Sequence, residues 1–85
     1  MKRGKIEIYR DILEAISKYD KMHRIQAYAN LSYAKAYKKW IPHLLSQGLI
    51  EKRLTRYYLT PKGTQLLNLL NECFMVLGIY KAKEN

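Results

Sequence analysis

The sequence predicts a mainly α-helical domain with one small β-hairpin and a long helix at its end. Three observations predict it. Apolar residues recur every three or four positions in each of four stretches, the period of a helix with one buried face. The β-prone runs are Ile50–Arg53 and residues 57–59, with only Leu54-Thr55-Arg56 between them, which makes a hairpin. Thr60 followed by Pro61 places an N-cap and a first-turn proline ahead of a stretch that is apolar to about residue 82. With 85 residues the chain has the size of one domain, divided into a head and hairpin over 1–60 and a long helix over 61–82. It contains no internal repeat, linker or low-complexity stretch.

The first helix is expected over residues 5–19, with Ile6, Tyr9, Ile12, Leu13 and Ile16 inward. Its acids stand among bases, including Glu7 with Arg10 and Glu14 with Lys18, so its outer face reads as mixed ion pairs and the helix as scaffold. Asp20 and Lys21 interrupt the pattern. A second, shorter helix follows over Met22–Ala29, with Ile25, Tyr28 and Ala29 inward, and Asn30 closes it in the left-handed conformation. Leu31 and Ser32 begin a third helix at once, Ser32 as its cap. Two helices joined by so tight a turn make a helix-turn-helix.

The third helix, residues 31–47, is the functional candidate. On a regular helical wheel Leu31, Ala34, Tyr37, Ile41, Leu44 and Leu45 share one face, while Ser32, Lys35, Ala36, Lys39 and His43 share the other. That outer face is small, polar and cationic, and it carries no acid. Most charged helix faces are merely solvated, but an acid-free basic face after a helix-turn suits the major groove of DNA. Pro42 removes one hydrogen bond of the ladder, so a bend is expected near residues 38–42 rather than a break. Trp40 reads as core or subunit contact in preference to nucleic-acid stacking. Gly48 ends the helix, and the hairpin then presents Lys52, Arg53 and Arg56 at or near its tip, with Ile50, Tyr57 and Leu59 inward and Tyr58 outward. A basic hairpin beside a basic helix is a wing, able to reach phosphates or a minor groove.

In the last helix Leu66, Leu70, Cys73, Leu77 and Tyr80 follow a heptad seam, and Phe74 and further apolar residues make other faces apolar too. A chain this short cannot cover such a helix alone, so a homodimer through it is expected. The charge distribution supports a polyanionic partner. The net charge is +9, and residues 21–62 hold nine bases against one acid. Lys21, Arg24 and Lys38 belong to this basic segment and are candidate DNA contacts alongside Ser32, Tyr33, Lys35, Lys39, His43 and the wing cations.

Taken together these elements look like a winged helix-turn-helix. More narrowly, the segments KIEIYRDILEAI, HRIQAYANLSYAKAYKKWIPHLLSQGLIEK and YYLTPKG resemble the archaeal ten-kilodalton winged-helix DNA-binding proteins. The resemblance covers nearly the whole chain. It implies a dimer joined by an antiparallel coiled coil of the last helices, acting as a chromatin-like protein or transcription regulator, with relatives carried by archaeal viruses and plasmids. Pro42 and a shorter tail depart from that pattern.

Other chemistry is poorly supported. His23, His43 and Cys73 lie on separate elements without metal-ligand spacing, the four glycines form no phosphate loop, and the seven acids are dispersed, so neither a metal, a cofactor nor an enzyme is expected. No small-molecule ligand is evident. Cys73 reads as a small buried hydrophobe, with a cross-subunit disulfide the weaker alternative. No apolar run approaches the ~20 residues of a membrane span, and no secretory signal is seen, so a cytoplasmic, nucleoid-associated protein is expected. The recognition helix has lysines but no Arg, and no Asn or Gln on its outer face, which leans toward modest sequence preference on double-stranded DNA. The competing reading is a winged-helix module docking an acidic protein. RNA binding is least supported, because the aromatic residues form no evident stacking platform.

Overall fold

The computed structural model describes residues 4–78, whose elements follow the expected order. The first helix runs Lys5–Lys18. Glu7 does not pair with Arg10; its Oε1 accepts from the Gly4 N–H at 2.7 Å and satisfies the free backbone donor at the N-cap. Arg10 instead meets Asp11 at 3.1 Å and Glu14 at 3.2 Å, and its guanidinium lies 5.4 Å from the centre of the Phe74 ring. Asp11 is buried, so this network is part of the packing rather than the solvated face expected. Tyr28 donates to Glu14 Oε2 at 3.1 Å, which ties the second helix to the first. Burial, then the Glu14 bond, pushes the Tyr28 phenol up to about 12.

The second helix runs Met22–Ala29, and Asn30 closes it at φ 58°. The Leu31 N–H then bonds to Gln26 O and the Asn30 N–H to Ala27 O, the paired closure that a left-handed residue permits. Ser32 caps the next helix by accepting from the Lys35 N–H at 3.2 Å.

That third helix is continuous over residues 33–46 but not uniform. It is α-helical at Tyr33–Lys35, widens to a π-turn at Ala36–Trp40, and resumes α-helical form at Ile41–Ser46. The Ile41 N–H reaches back five residues to Ala36 O. Pro42, which has no N–H to give, follows directly, so the ladder adjusts where the proline would interrupt it. A π-turn absorbs one extra residue, and the upstream half of the helix is therefore rotated relative to a regular wheel. The buried residues are Ala36, Trp40, Ile41 and Leu44.

Gly48 ends the helix at φ 72°. β1 (Ile50–Arg53) and β2 (Arg56–Leu59) pair antiparallel with Arg53 opposite Arg56, so the tip is Leu54-Thr55, one residue shorter than expected, and Leu54 takes φ 58°. Ile50 and Tyr57 are buried, and Leu59 packs partly against the core. The Tyr57 N–H donates to Asp20 O at 2.9 Å, joining the break between the first two helices to the hairpin.

The C-terminal helix is Pro61–Leu77 and closes at Gly78, φ 75°, short of the expected residue 82; Tyr80 lies outside the described residues. Its start is fixed tightly. Thr60 Oγ1 accepts from the Gly63 N–H and donates to Gly48 O, and Lys62 Nζ donates to Gln47 O at 2.9 Å. A Cβ on Gly63 would stand 1.9 Å from Leu49 O, so only glycine lets this helix approach the recognition helix's end so closely. The core gathers Ile12, Leu13 and Ile16 of the first helix, Ile25 and Ala29 of the second, Trp40, Ile41 and Leu44, the hairpin's Ile50 and Tyr57, and Leu67.

Candidate nucleic-acid interface

The recognition helix carries its lysines on the side away from the core. Lys35, Lys38 and Lys39 are exposed, and among the described residues none of them meets a carboxylate. Lys39 Nζ lies 4.9 Å from the Trp40 ring, which holds it along the helix rather than free of it. Ser32 and Tyr33 are exposed at the helix start. His43 is exposed as expected, yet its ring stacks on Tyr9 of the first helix at 5.7 Å, and Tyr9 in turn meets Trp40 edge-on at 5.3 Å. Lys5, Tyr9, Lys39, Trp40 and His43 line one shallow hollow between the two helices.

Three assignments from the regular wheel, at Ala34, Ala36 and Tyr37, are overturned by the π-turn. Ala36, expected on the outer face, is 1% exposed and belongs to the core, so it makes no contact with an outside partner. Tyr37, expected inside, is 43% exposed. It stacks on Tyr33, itself 54% exposed, with ring centres 5.3 Å apart and planes within 10°. Ala34 and Leu45 are also exposed rather than buried. Trp40 is core, the reading favoured from the sequence. The signal for the rotation was Pro42 itself, because the missing donor must be accommodated somewhere upstream.

The wing differs in kind. Arg56 Nη1 meets Asp20 Oδ2 at 3.0 Å, and Arg53 Nη2 meets Glu51 at 2.9 Å. Arg53 also lies 4.3 Å over the Tyr58 ring, and Lys52 5.7 Å over Tyr57. The hydrogen bond from Arg56 is the main reason the Asp20 carboxyl sits below its ordinary 3.8, and the same bond raises the Arg56 guanidinium. Two of the three wing cations are thus already engaged within the chain. Asp20 was read only as a break. Nothing local in the sequence marks it as a partner of a residue 36 positions away.

Lys21 and Arg24 do not join the recognition-helix lysines. They line an open cleft with Ser17, Lys18, Asp20 and the wing's Tyr58, and Arg24 lies 5.8 Å over the Tyr19 ring. Lys18, assigned to scaffold from the sequence, adds a third cation there.

The candidate dimer face is divided. Leu66 and Leu70 pack partly against the core, and Phe74 is buried within the chain against Arg10. Cys73 and Leu77 are exposed on the single subunit. Leu69, Cys73, Val76 and Leu77 line a shallow apolar groove together with Glu72. Among the described residues no group of three His, Cys, Asp or Glu is placed to hold a metal, and no helix is long and apolar enough to cross a membrane.

The fold is therefore three helices, a two-stranded wing and a long closing helix, with the turn between the second and third helices built by Asn30 and Ser32. The chain belongs to the winged helix-turn-helix family, whose model matches residues 2–77. Among solved structures it is similar to Sso10a-2, a DNA-binding protein from Sulfolobus solfataricus, with a TM-score of 0.75 and 28% identity over 89% of this chain and 83% of that one. Two proteins of Methanocaldococcus jannaschii also match over 91% of this chain: the uncharacterized protein MJ0290 at 37% identity and the uncharacterized protein MJ0287 at 32%. The chain spans 36% of the length of the first and 79% of the second.

Proposed function

We propose that the protein is a double-stranded DNA-binding homodimer of modest sequence preference, acting as a transcription regulator or a chromatin-type protein. The observation that carries the reading is the recognition helix itself. It presents Lys35, Lys38 and Lys39 away from the core with no carboxylate against them among the described residues. The similarity to a DNA-binding protein over most of the chain supports it. Ser32 and Tyr33 at the helix start face the bases, the lysines hold phosphates, and the wing's Lys52 and Arg53 lie along the backbone beside them. Lys21 and Arg24 clamp a further phosphate at the start of the second helix. The protein binds and does not catalyse, and its place is on the nucleoid.

The dimer forms through the C-terminal helix, but of the described heptad positions only Cys73 and Leu77 are left to its seam. Leu66, Leu70 and Phe74 serve the subunit's own core, so Leu69, Cys73, Val76 and Leu77 are the residues left for the partner. Val76 is 85% exposed and Leu77 67%, an apolar surface that a monomer would leave in water.

A salt titration of duplex binding tests the reading. If about five phosphates are neutralised per subunit, log K falls with log salt at a slope near −4 to −5 per subunit. A slope near zero, or unchanged duplex mobility in dilute buffer, ends it and leaves docking to an acidic protein in its place. Sedimentation as a single 10.1 kDa subunit ends the dimer part alone.

A further inference from the structure

We propose that the stacked Tyr33–Tyr37 rings are a contact for the 5-methyl groups of thymine, giving the protein a preference for duplexes that present thymine methyls in the major groove. The inference rests on the DNA-binding reading above and adds to it the chemical feature being read. The two rings lie parallel at 5.3 Å and are 54% and 43% exposed, on a helix whose opposite side is core. Their neighbour Ala34 is exposed as well. Exposed stacked rings fix each other's rotamers, so they form a rigid apolar surface at little entropic cost.

The rest of the helix narrows what such a surface meets. Residues 33–46 contain no Arg, Asn or Gln, so the bidentate partners of adenine are absent and those of guanine reduce to flexible lysines. Lysines beside the rings supply attraction to phosphate without reading sequence. Beside the Ser32 hydroxyl and these lysines, what remains to discriminate base pairs is apolar contact, and in the major groove the apolar group is the thymine methyl. Single-stranded bases stacked on the rings are the other use of exposed aromatics, but Tyr33 and Tyr37 already cover one face of each other, so they offer edges and one outer face rather than an open platform.

Fluorescence anisotropy with three kinds of duplex tests this. The first form carries thymine, the second deoxyuridine at the same positions, and the third is a G·C-rich duplex with and without 5-methylcytosine. Removing the methyls is expected to weaken binding about threefold to fourfold per contacted methyl. Adding them to cytosine is expected to strengthen binding in the same proportion. The double variant Tyr33→Ala with Tyr37→Ala, both exposed positions, is expected to bind all forms with one affinity while keeping the salt slope. Tyr→Phe at both sites is expected to keep the discrimination. Equal affinity of the unaltered protein for thymine and deoxyuridine duplexes, with salt-dependent binding intact, overturns the methyl contact and leaves DNA binding standing. Discrimination that survives the double alanine variant also overturns it. Tighter binding to single strands than to any duplex overturns it in favour of base stacking. Failure to bind any form overturns both readings.

Discussion

The recognition helix and the wing carry the same sign of charge, yet the fold treats them differently. On the helix, Lys35, Lys38 and Lys39 stand clear of any carboxylate among the described residues. On the wing, Arg56 is held by Asp20 and Arg53 by Glu51 and the Tyr58 ring. A cation already in an ion pair must give up that partner, or share it, before it neutralises a phosphate. Equal counts of Lys and Arg therefore do not make equal contributions to polyanion binding. The helix offers an outside charge lysines free of ion pairs among the described residues, and the wing's arginines are first held in place.

The largest expected effect breaks the helix side of this comparison. Lys35→Glu with Lys38→Glu should lower duplex affinity by about 100-fold in dilute buffer and flatten the salt slope by about two per subunit. The matching pair Arg53→Glu with Arg56→Glu on the wing should cost clearly less; an equal loss in a gel-shift series would erase the distinction. Next comes the joint that sets both regions on the core. Gly63→Ala drives a methyl into Leu49 O and should lower stability by about 1–3 kcal/mol, read from urea unfolding, with salt dependence of the folded protein unchanged. An unaltered midpoint would mean the backbone shifts at no cost.

The wing's restraint can be released directly. Asp20→Asn frees Arg56 while keeping the backbone bond from Tyr57, so the salt slope should steepen by about one per subunit. The pH dependence has a definite sign. Asp20's carboxyl is lowered in the folded chain, so its contribution to stability is complete above the ordinary 3.8 and is lost as pH falls through the lowered value. The pair is largely exposed and the effect small, visible as an acid limb in thermal unfolding that the Asn variant lacks. Smallest is a site remote from both regions. Tyr28→Phe should cost about 1 kcal/mol through its lost bond to Glu14. The Tyr28 pKa is raised to about 12, so its stabilising effect is complete below the ordinary 10.0 and disappears as pH climbs through the raised value. Absorbance titration at alkaline pH should show one phenol ionising late, and should lose it in the variant.

How far the sequence reached depended on the range of the physics involved. The order of elements, the second helix's bounds, the closures at Asn30 and Gly48, and the caps Ser32 and Thr60 all follow from contacts within about six residues. So does the placing of Lys35, Lys38 and Lys39 on an exposed, acid-free helix. Missed were the burial of Ala36 and the exposure of Tyr37, then the exposure of Ala34 and Leu45, and the stop at Gly78. The first two share one cause: a regular wheel assumes a constant turn, and Pro42 changed it.

The sequence by itself determined the architecture and the identity of the cationic helix, because helical period, capping chemistry and charge are properties of neighbouring residues. Only the tertiary structure decided which cations are engaged and which apolar side chains are covered. Arg56 finds Asp20 across 36 positions, and Phe74 finds Arg10 on the first helix while Val76, two residues on, faces away. Those outcomes turn on where distant segments are brought to rest, and no local pattern encodes the distance between them.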